Sequence, residues 1–217
     1  MEQQYFSFNG DESIIVQRIF KSIKNSFTYE LLVKPEEIHK IDIESNEGCS
    51  GIHGQKYVIS PEHGRTVNEA GVGISIGING VSVYEHTVNH LPSTLVFPTI
   101  IDDWVHVAVV YNNKTSFLYI DGELVAAGVK SAKCNVFASG VFGGHDPYGF
   151  FVGQIKYIRI WDHARTKEQI KDKISNGLSD NEQGLFGIWK FKSSSICELL
   201  SDTVLPLPKN IKTNDFF

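Results

Sequence analysis

The chain is short of the features that mark several protein classes. Only three of its 217 residues are cysteine, Cys49, Cys134 and Cys197, and they lie far apart. So sparse and odd a set cannot staple a fold. The reading is three free thiols, some of them buried, with one disulfide open only to an exported chain. Basic charge is also in deficit, with 20 Lys and Arg against 25 Asp and Glu for a net charge of −5. General nucleic-acid binding needs a basic face that displaces counterions, and a polybasic membrane anchor needs clustered Lys and Arg, so neither is expected. No run of about 18 apolar residues occurs, so no transmembrane segment is expected. Met1-Glu2-Gln3-Gln4 offers neither a basic start nor an apolar stretch, so no signal peptide is expected here. The glycines are scattered and not pooled into a linker, which favours one domain.

What is present is a series of short β-branched and aromatic runs separated by Gly, Asn and Asp. Trp104 to Tyr111 is apolar except for His106 and reads as a strand buried on most of both faces. Asn112-Asn113-Lys114 then signals a turn into Ser116–Ile120, and Asp121-Gly122 leads into Glu123–Ala126. Asp-Gly between two such runs predicts a type I′ hairpin, because both residues tolerate positive φ. The same logic places a hairpin turn at Asn79-Gly80, between Gly73–Ile78 and Val81–Tyr84. Further predicted strands are Tyr5–Phe8, Ile14–Val16, Phe27–Val33, Ile41–Ile43, Tyr57–Ser60, Thr94–Phe97, Phe150–Trp161 and Leu185–Phe191. Many short strands spaced by turns imply an all-β sandwich or barrel.

One helix is expected. Thr166 and Gln169 form a capping-box pattern, Ile170 and Ile174 share a face, and Gly177 suits the stop. Such a helix would cover an edge or end of the sandwich. Residues 1–204 then form the domain, and the proline-bearing stretch 205–217 reads as an extended tail.

Several stretches together resemble a known family. Trp104 to Tyr111 followed by Leu118-Tyr119-Ile120-Asp121-Gly122 resembles the central hairpin of laminin-G-like domains, of the concanavalin A-like lectin/glucanase superfamily. Phe6 to Asp11 resembles the opening strand, and Phe27–Glu30 with Val33-Lys34-Pro35 the second core strand. Gly153–Trp161 with Ala164-Arg165-Thr166 resembles the late strand and its helix, and Gly184–Phe191 the closing strand. Gly71–Ile76 through Tyr84-Glu85-His86 is similar to a bacterial subgroup, some members of which sit beside carbohydrate-processing domains. The resemblance implies a jelly-roll β-sandwich of two antiparallel sheets, and secreted or cell-surface use. It leaves glycan binding, protein binding and polysaccharide hydrolysis all open, since fold does not fix function. The chain departs from the family at Lys156 and Tyr157, where many members carry Asp, and at Asn9, where Asp is usual. Related domains hold structural calcium in that region. Asn9 and Asp11 still offer oxygens, but a lysine there opposes a divalent ion, so no cofactor is required and calcium is optional.

Catalytic patterns are weak. The superfamily's β-glucanases carry their carboxylates in a Glu-Ile-Asp-Ile-Glu type strand. This chain has Lys40-Ile41-Asp42-Ile43-Glu44, so a lysine stands in the nucleophile's place and hydrolysis is not expected. His86 and His90 are four residues apart, yet a nearby Pro92 favours a loop over a zinc-binding helix. Gly140-Val141-Phe142-Gly143-Gly144 lacks the Lys-Ser/Thr of a phosphate loop and reads as a tight turn. Trp104, Trp161 and Trp189 lie in apolar runs and read as core.

Two loops mix polar and aromatic residues as a sugar site would. One holds Glu85, His86, Asn89 and His90, and the other His145, Asp146, Tyr148 and Phe150. Aromatic faces suit sugar C–H surfaces, and Asp, Asn, Glu and His suit hydroxyls. The expected function is a non-catalytic lectin-like module that binds a glycan through these loops. The alternative is a module that docks or adheres to a surface partner protein.

Overall fold

A computed structural model describes residues 4–17, 19–178, 182–192, 196–198 and 203–205, the last two stretches as backbone only. Two large antiparallel sheets face each other. One is nine-stranded, in the order Glu123–Ala127, Thr115–Ile120, Val105–Asn112, Phe27–Pro35, Val152–Trp161, Leu185–Phe191, Ile196–Glu198, Thr203–Leu205; Phe6–Asn9 also pairs with Val152–Trp161. The other is seven-stranded, in the order Ile14–Ile15, Val141–Phe142, Tyr57–Ser60, Glu69–Gly77, Gly80–His86, Ser93–Pro98. Its seventh member, Asn135–Phe137, runs parallel to the start of Glu69–Gly77. This is the expected jelly-roll sandwich.

Side chains alternate across each strand, and the alternation builds the core. Phe27, Tyr29, Leu31 and Val33 meet Val72, Ile74 and Ile76 in one apolar cluster, together with Trp189 and Phe142. The opposite residues of the same strand, Thr28, Glu30, Leu32 and Lys34, therefore face outward from the nine-stranded sheet. The helix Lys167–Ser175 packs there. Its buried Ile170 lies with Ala108, Val110, Phe117 and Tyr119, so it covers part of a sheet face, where an edge or end was expected. Thr166 caps it with the predicted box: its Oγ1 accepts from Gln169 N at 3.3 Å, and Gln169 Oε1 accepts from Thr166 N at 2.8 Å.

The turns hold one confirmation and one correction. Asp121 (φ 48°) and Gly122 (φ 79°) both take positive φ between their paired strands, as a type I′ turn requires. At the other hairpin the register closes on Gly77↔Gly80, so Ile78 and Asn79 form the turn, one residue earlier than expected. Neither has positive φ. Asn79 instead uses its side chain, accepting from His39 N and donating to His39 O.

Four other expectations fail. Residues 41–43 form no strand. They lie in an irregular stretch outside the sheets, with Ile43 exposed and Asp42 turned back to accept from Tyr84 and Gln55. Val141–Phe142, read as a tight turn, is a short strand with both side chains in the interior. Trp104 precedes its strand and is half-buried, with Lys156 Nζ 4.4 Å above its ring; Trp161 and Trp189 are buried as expected. Cys49 and Cys134 are free but exposed. The tail assigned to 205–217 lies outside the described residues from 206 onward. No helix among the described residues is long and apolar enough to cross a membrane.

Candidate functional site

The outward face of the seven-stranded sheet is built to accept loops. Inward-pointing Val72, Ile74 and Ile76 leave Gly71, Gly73, Ser75 and Gly77 facing out. Glycine within a strand marks a close backbone approach. A Cβ on Gly71 would strike the Glu62 carbonyl, and one on Gly73 would lie 2.7 Å from the Pro61 ring. His39 Nδ1 meets Ser75 Oγ at 2.9 Å. The stripe therefore seats residues 61–64 and the stretch around His39 directly on the sheet.

This seating assembles an aromatic cluster. Gly64 N donates to His86 O at 3.1 Å, which brings the exposed His63 ring to 4.5 Å from that of His86, edge to face. His86 Nδ1 contacts the Pro61 carbonyl at 3.2 Å, and its Nε2 lies 3.4 Å from the Tyr148 hydroxyl. The Tyr148 ring stands 5.0 Å from both His86 and His145. His145 Nδ1 shares a 2.5 Å hydrogen bond with Ser60 Oγ. Below, Tyr148 and Ile52 pack against buried Tyr57, Tyr84 and Leu91. Its polar tip is left beside the imidazoles.

Burial lowers the pKa of both His86 and His145 to about 4. The Pro61 carbonyl opposes this at His86 and the Asp146 carboxylate opposes it at His145, and neither prevails. At neutral pH each is an uncharged imidazole with one donor and one acceptor, and His86 spends both of its nitrogens within the protein, on the Pro61 carbonyl and the Tyr148 hydroxyl. Such groups suit hydroxyls better than anions. Asp146 and Asn89 are exposed nearby in sequence and add a carboxylate and an amide.

The two loops singled out in the sequence thus meet, through His86, Tyr148 and His145. Glu85 does not join them. It points the other way, is 2% exposed, and accepts from Tyr111 (3.2 Å) and Ser131 (2.5 Å). His90 and Asn89 cap a turn around Thr87 Oγ1, and Cys49 Sγ donates to Asn89 O at 3.2 Å. Phe150 pairs with Gly144 in a two-stranded ribbon and is half-buried. His63 and Ser60 were not foreseen. No local spacing ties them to His86, and the only sequence trace of their approach is the Gly71/Gly73 stripe.

The metal candidates do not converge. Asn9 stands opposite Val152, four residues from Lys156, or roughly 13 Å along a strand. Asn9 N and Nδ2 both donate to the Glu12 carboxylate, and Asp11 is exposed. Among the described residues, no three His, Cys, Asp or Glu are grouped to hold a metal ion. Asp42, in the glucanase-like stretch, is also held by Lys40 Nζ at 2.8 Å. Two clefts lie elsewhere, both on the nine-stranded sheet. One of about 530 Å³ runs between Trp161 and the helix, and another of about 450 Å³ is lined by lysines.

A family model described as the concanavalin A-like lectin/glucanases superfamily, of the laminin-G type, matches residues 8–171. The chain belongs to this superfamily. No curated protein matches it in sequence. Among solved structures it is similar to a heptameric SAP-like pentraxin from Limulus polyphemus: 14% identity, TM-score 0.57, over 95% of this chain and 92% of that one. It is also similar to a Bacteroides ovatus protein described as carbohydrate-binding: 17% identity, TM-score 0.54, over 98% of this chain and 63% of that one. A third is the binding domain of botulinum neurotoxin DC, solved in complex with SialylT: 14% identity, TM-score 0.53, over 82% of this chain and 43% of that one. The chain spans less than two thirds of the last two. At these identities the likeness establishes the fold.

Proposed function

We propose that this superfamily member is a non-catalytic glycan-binding module whose ligand rests on His63, Tyr148 and His145, with buried His86 holding the Tyr148 hydroxyl and Asp146 and Asn89 at the margin. The observation that carries the reading is the convergence of two separate polar-aromatic loops on Tyr148. The description of the Bacteroides ovatus neighbour as a carbohydrate-binding protein supports the ligand class. The neutral imidazoles favour a sugar rich in hydroxyls. Absence of catalysis is supported by the engagement of three carboxylates around the cluster: Glu85 is buried, Asp42 is bound to Lys40, Tyr84 and Gln55, and Glu62 accepts from Gly140 N, which leaves Asp146 as the exposed one. A retaining mechanism needs two free carboxyls roughly 5 Å apart.

The test is a glycan array probed with the multimerised domain. Tyr148→Ala and His145→Ala should each weaken a positive signal roughly tenfold or more, a loss of about 1.4 kcal/mol or greater. A glycan signal unchanged in both variants would remove the ligand from this cluster. The module is also proposed to work without calcium. Its melting temperature should not move with millimolar calcium, and a rise of several degrees would show binding to the native state.

A protein-docking role is favoured by one different observation. Ile38, Ile78 and Ile100 are all exposed at one end of the seven-stranded sheet. Ile78 N donates to Glu37 O and Thr99 N to Asn79 O there, which brings the three segments together. An array blank with and without chelator would turn the case toward this surface.

A further inference from the structure

The helix covers only part of the outer face of the nine-stranded sheet. The uncovered part has a chemistry unlike the rim cluster. Strand register sets Lys190 opposite Tyr157, Tyr157 opposite Leu32, and Leu32 opposite His106, in one row across four strands. Lys156 and Lys192 join that row around a cleft of about 450 Å³, which lies within the range of roughly 300–1,000 Å³ usual for small-ligand sites. Among the described residues no acidic side chain lines it. Among the described residues neither Lys190 nor Lys192 has an ion-pair partner. Lys156 leans over Trp104, and the nearby Asp103 is engaged by Lys34 at 3.1 Å.

The next row adds to the positive potential. Glu30 is fully buried and faces two guanidiniums, Arg159 at 3.2 Å and Arg165, with His106 Nε2 at 3.7 Å. Five cations on this face therefore meet one buried carboxylate, in a chain whose net charge is −5. Like charges gathered in a concave site concentrate ligands of opposite sign.

We infer that this cleft binds a carboxylate-bearing saccharide, at a site separate from the rim cluster. The half-buried Tyr157 ring and Leu32 give the floor an apolar surface for a sugar ring. The lysine ammoniums at the margin match carboxylates as point charges. Among the described residues no arginine, helix N-terminus or glycine nest lines the cleft, so they form no multidentate cradle of the kind a phosphate site uses. The negative charge of the whole chain opposes close approach of an extended polyanion such as nucleic acid or an anionic membrane. The inference shares only its ligand class, sugar, with the reading of the rim cluster.

Calorimetric titration of the full chain with trigalacturonate, and with its fully methyl-esterified form, tests the inference. The acid form should bind at least roughly tenfold more tightly than the ester. Its affinity should fall when salt rises from about 0.05 M to about 0.5 M, as screening shortens the Debye length. Lys190→Glu with Lys192→Glu should weaken acid binding at least roughly tenfold, and the Gln pair should weaken it less. Both variants should keep the parent circular dichroism spectrum, since Lys190 is exposed and Lys192 half-buried. Equal binding of acid and ester would overturn the inference, as would full binding by the Glu pair. Loss in Tyr148→Ala alone would move the ligand to the rim and overturn it too. Equal displacement by inorganic phosphate or by phosphatidylserine vesicles would reduce the cleft to a general anion patch, with the same result.

Discussion

Replacing Glu30 with Gln should destabilise the domain by about 3–5 kcal/mol, the range for breaking a buried ion pair from one side. The change preserves shape and removes one charge. What it leaves behind is the reason for the size: Arg159 and Arg165, 8% and 3% exposed at their side chains, lose the one carboxylate that forms an ion pair with them among the described residues. Burial alone would raise the Glu30 carboxyl, yet His106, Arg165 and Arg159 outweigh burial and hold it below the ordinary range. The carboxylate therefore stays ionised in the interior. Arg165 also donates to Gln169 O at 2.7 Å and stacks 3.8 Å from the Trp161 ring, so Glu30 ties the helix to the sheet. Melting should drop by roughly 2–4 °C per kcal/mol at this chain length. Amide exchange should quicken first in Lys167–Ser175. Adding Arg165→Met to Glu30→Gln should recover part of the loss, because the unpaired cation is then removed. A loss below about 1 kcal/mol for Glu30→Gln would show that solvent or rearrangement compensates the arginines.

Stability should peak between about pH 6 and pH 7 and fall on both sides. Two opposed sets of buried groups produce the peak. His39, His86 and His145 are all pushed by burial to about 4. The unfolded chain takes up their protons first, so their contribution is complete above about pH 6.5 and is lost as pH falls toward 4. Glu62 and Glu85 behave in the opposite sense, since burial raises both to about 7. Their contribution is complete below about pH 4.5 and is lost as pH rises through 7. Each group is worth at most about 1.4 kcal/mol per pH unit within its window. Three histidines outweigh two carboxyls between pH 4.5 and 6.5, so the acid limb descends despite Glu62 and Glu85. Above pH 6.5 only the carboxyls still titrate, and stability falls. Denaturant midpoints measured across pH 4–9 check the shape. Glu85→Gln should flatten the alkaline limb, because an amide has no charge to desolvate. A flat profile from pH 5 to 8 would mean that these side chains reach water in the native state.

The strands were legible where local pattern and tertiary role agree. Tyr57–Ser60 and Leu185–Phe191 appear with their predicted bounds, and the Asp121-Gly122 turn takes the predicted conformation. Each rests on signals carried within a few residues. Residues 41–43 show the opposite case. Their β-branched alternation is a strand pattern, yet Asp42 finds its partners, Tyr84 and Gln55, outside any ladder. Trp104 failed for a related reason: position beside an apolar run does not say whether the next layer reaches it.

The sequence by itself determined the class of fold, the capped helix, the superfamily and the two residue sets suited to sugars. The fold class, the helix and the residue sets depend on periodicity, turn chemistry and composition, which are local; the superfamily rests on the resemblance of several stretches to a known family. Only the tertiary structure decided that His86 and His145 share Tyr148, that His63 stands over His86, and that Glu85 turns inward from the same strand. It alone gathered Lys156, Lys190 and Lys192 over a buried Glu30 in an acidic chain. Such juxtapositions join residues tens of positions apart, and sheet order and register set them. Local pattern carries no record of which strand lies beside which.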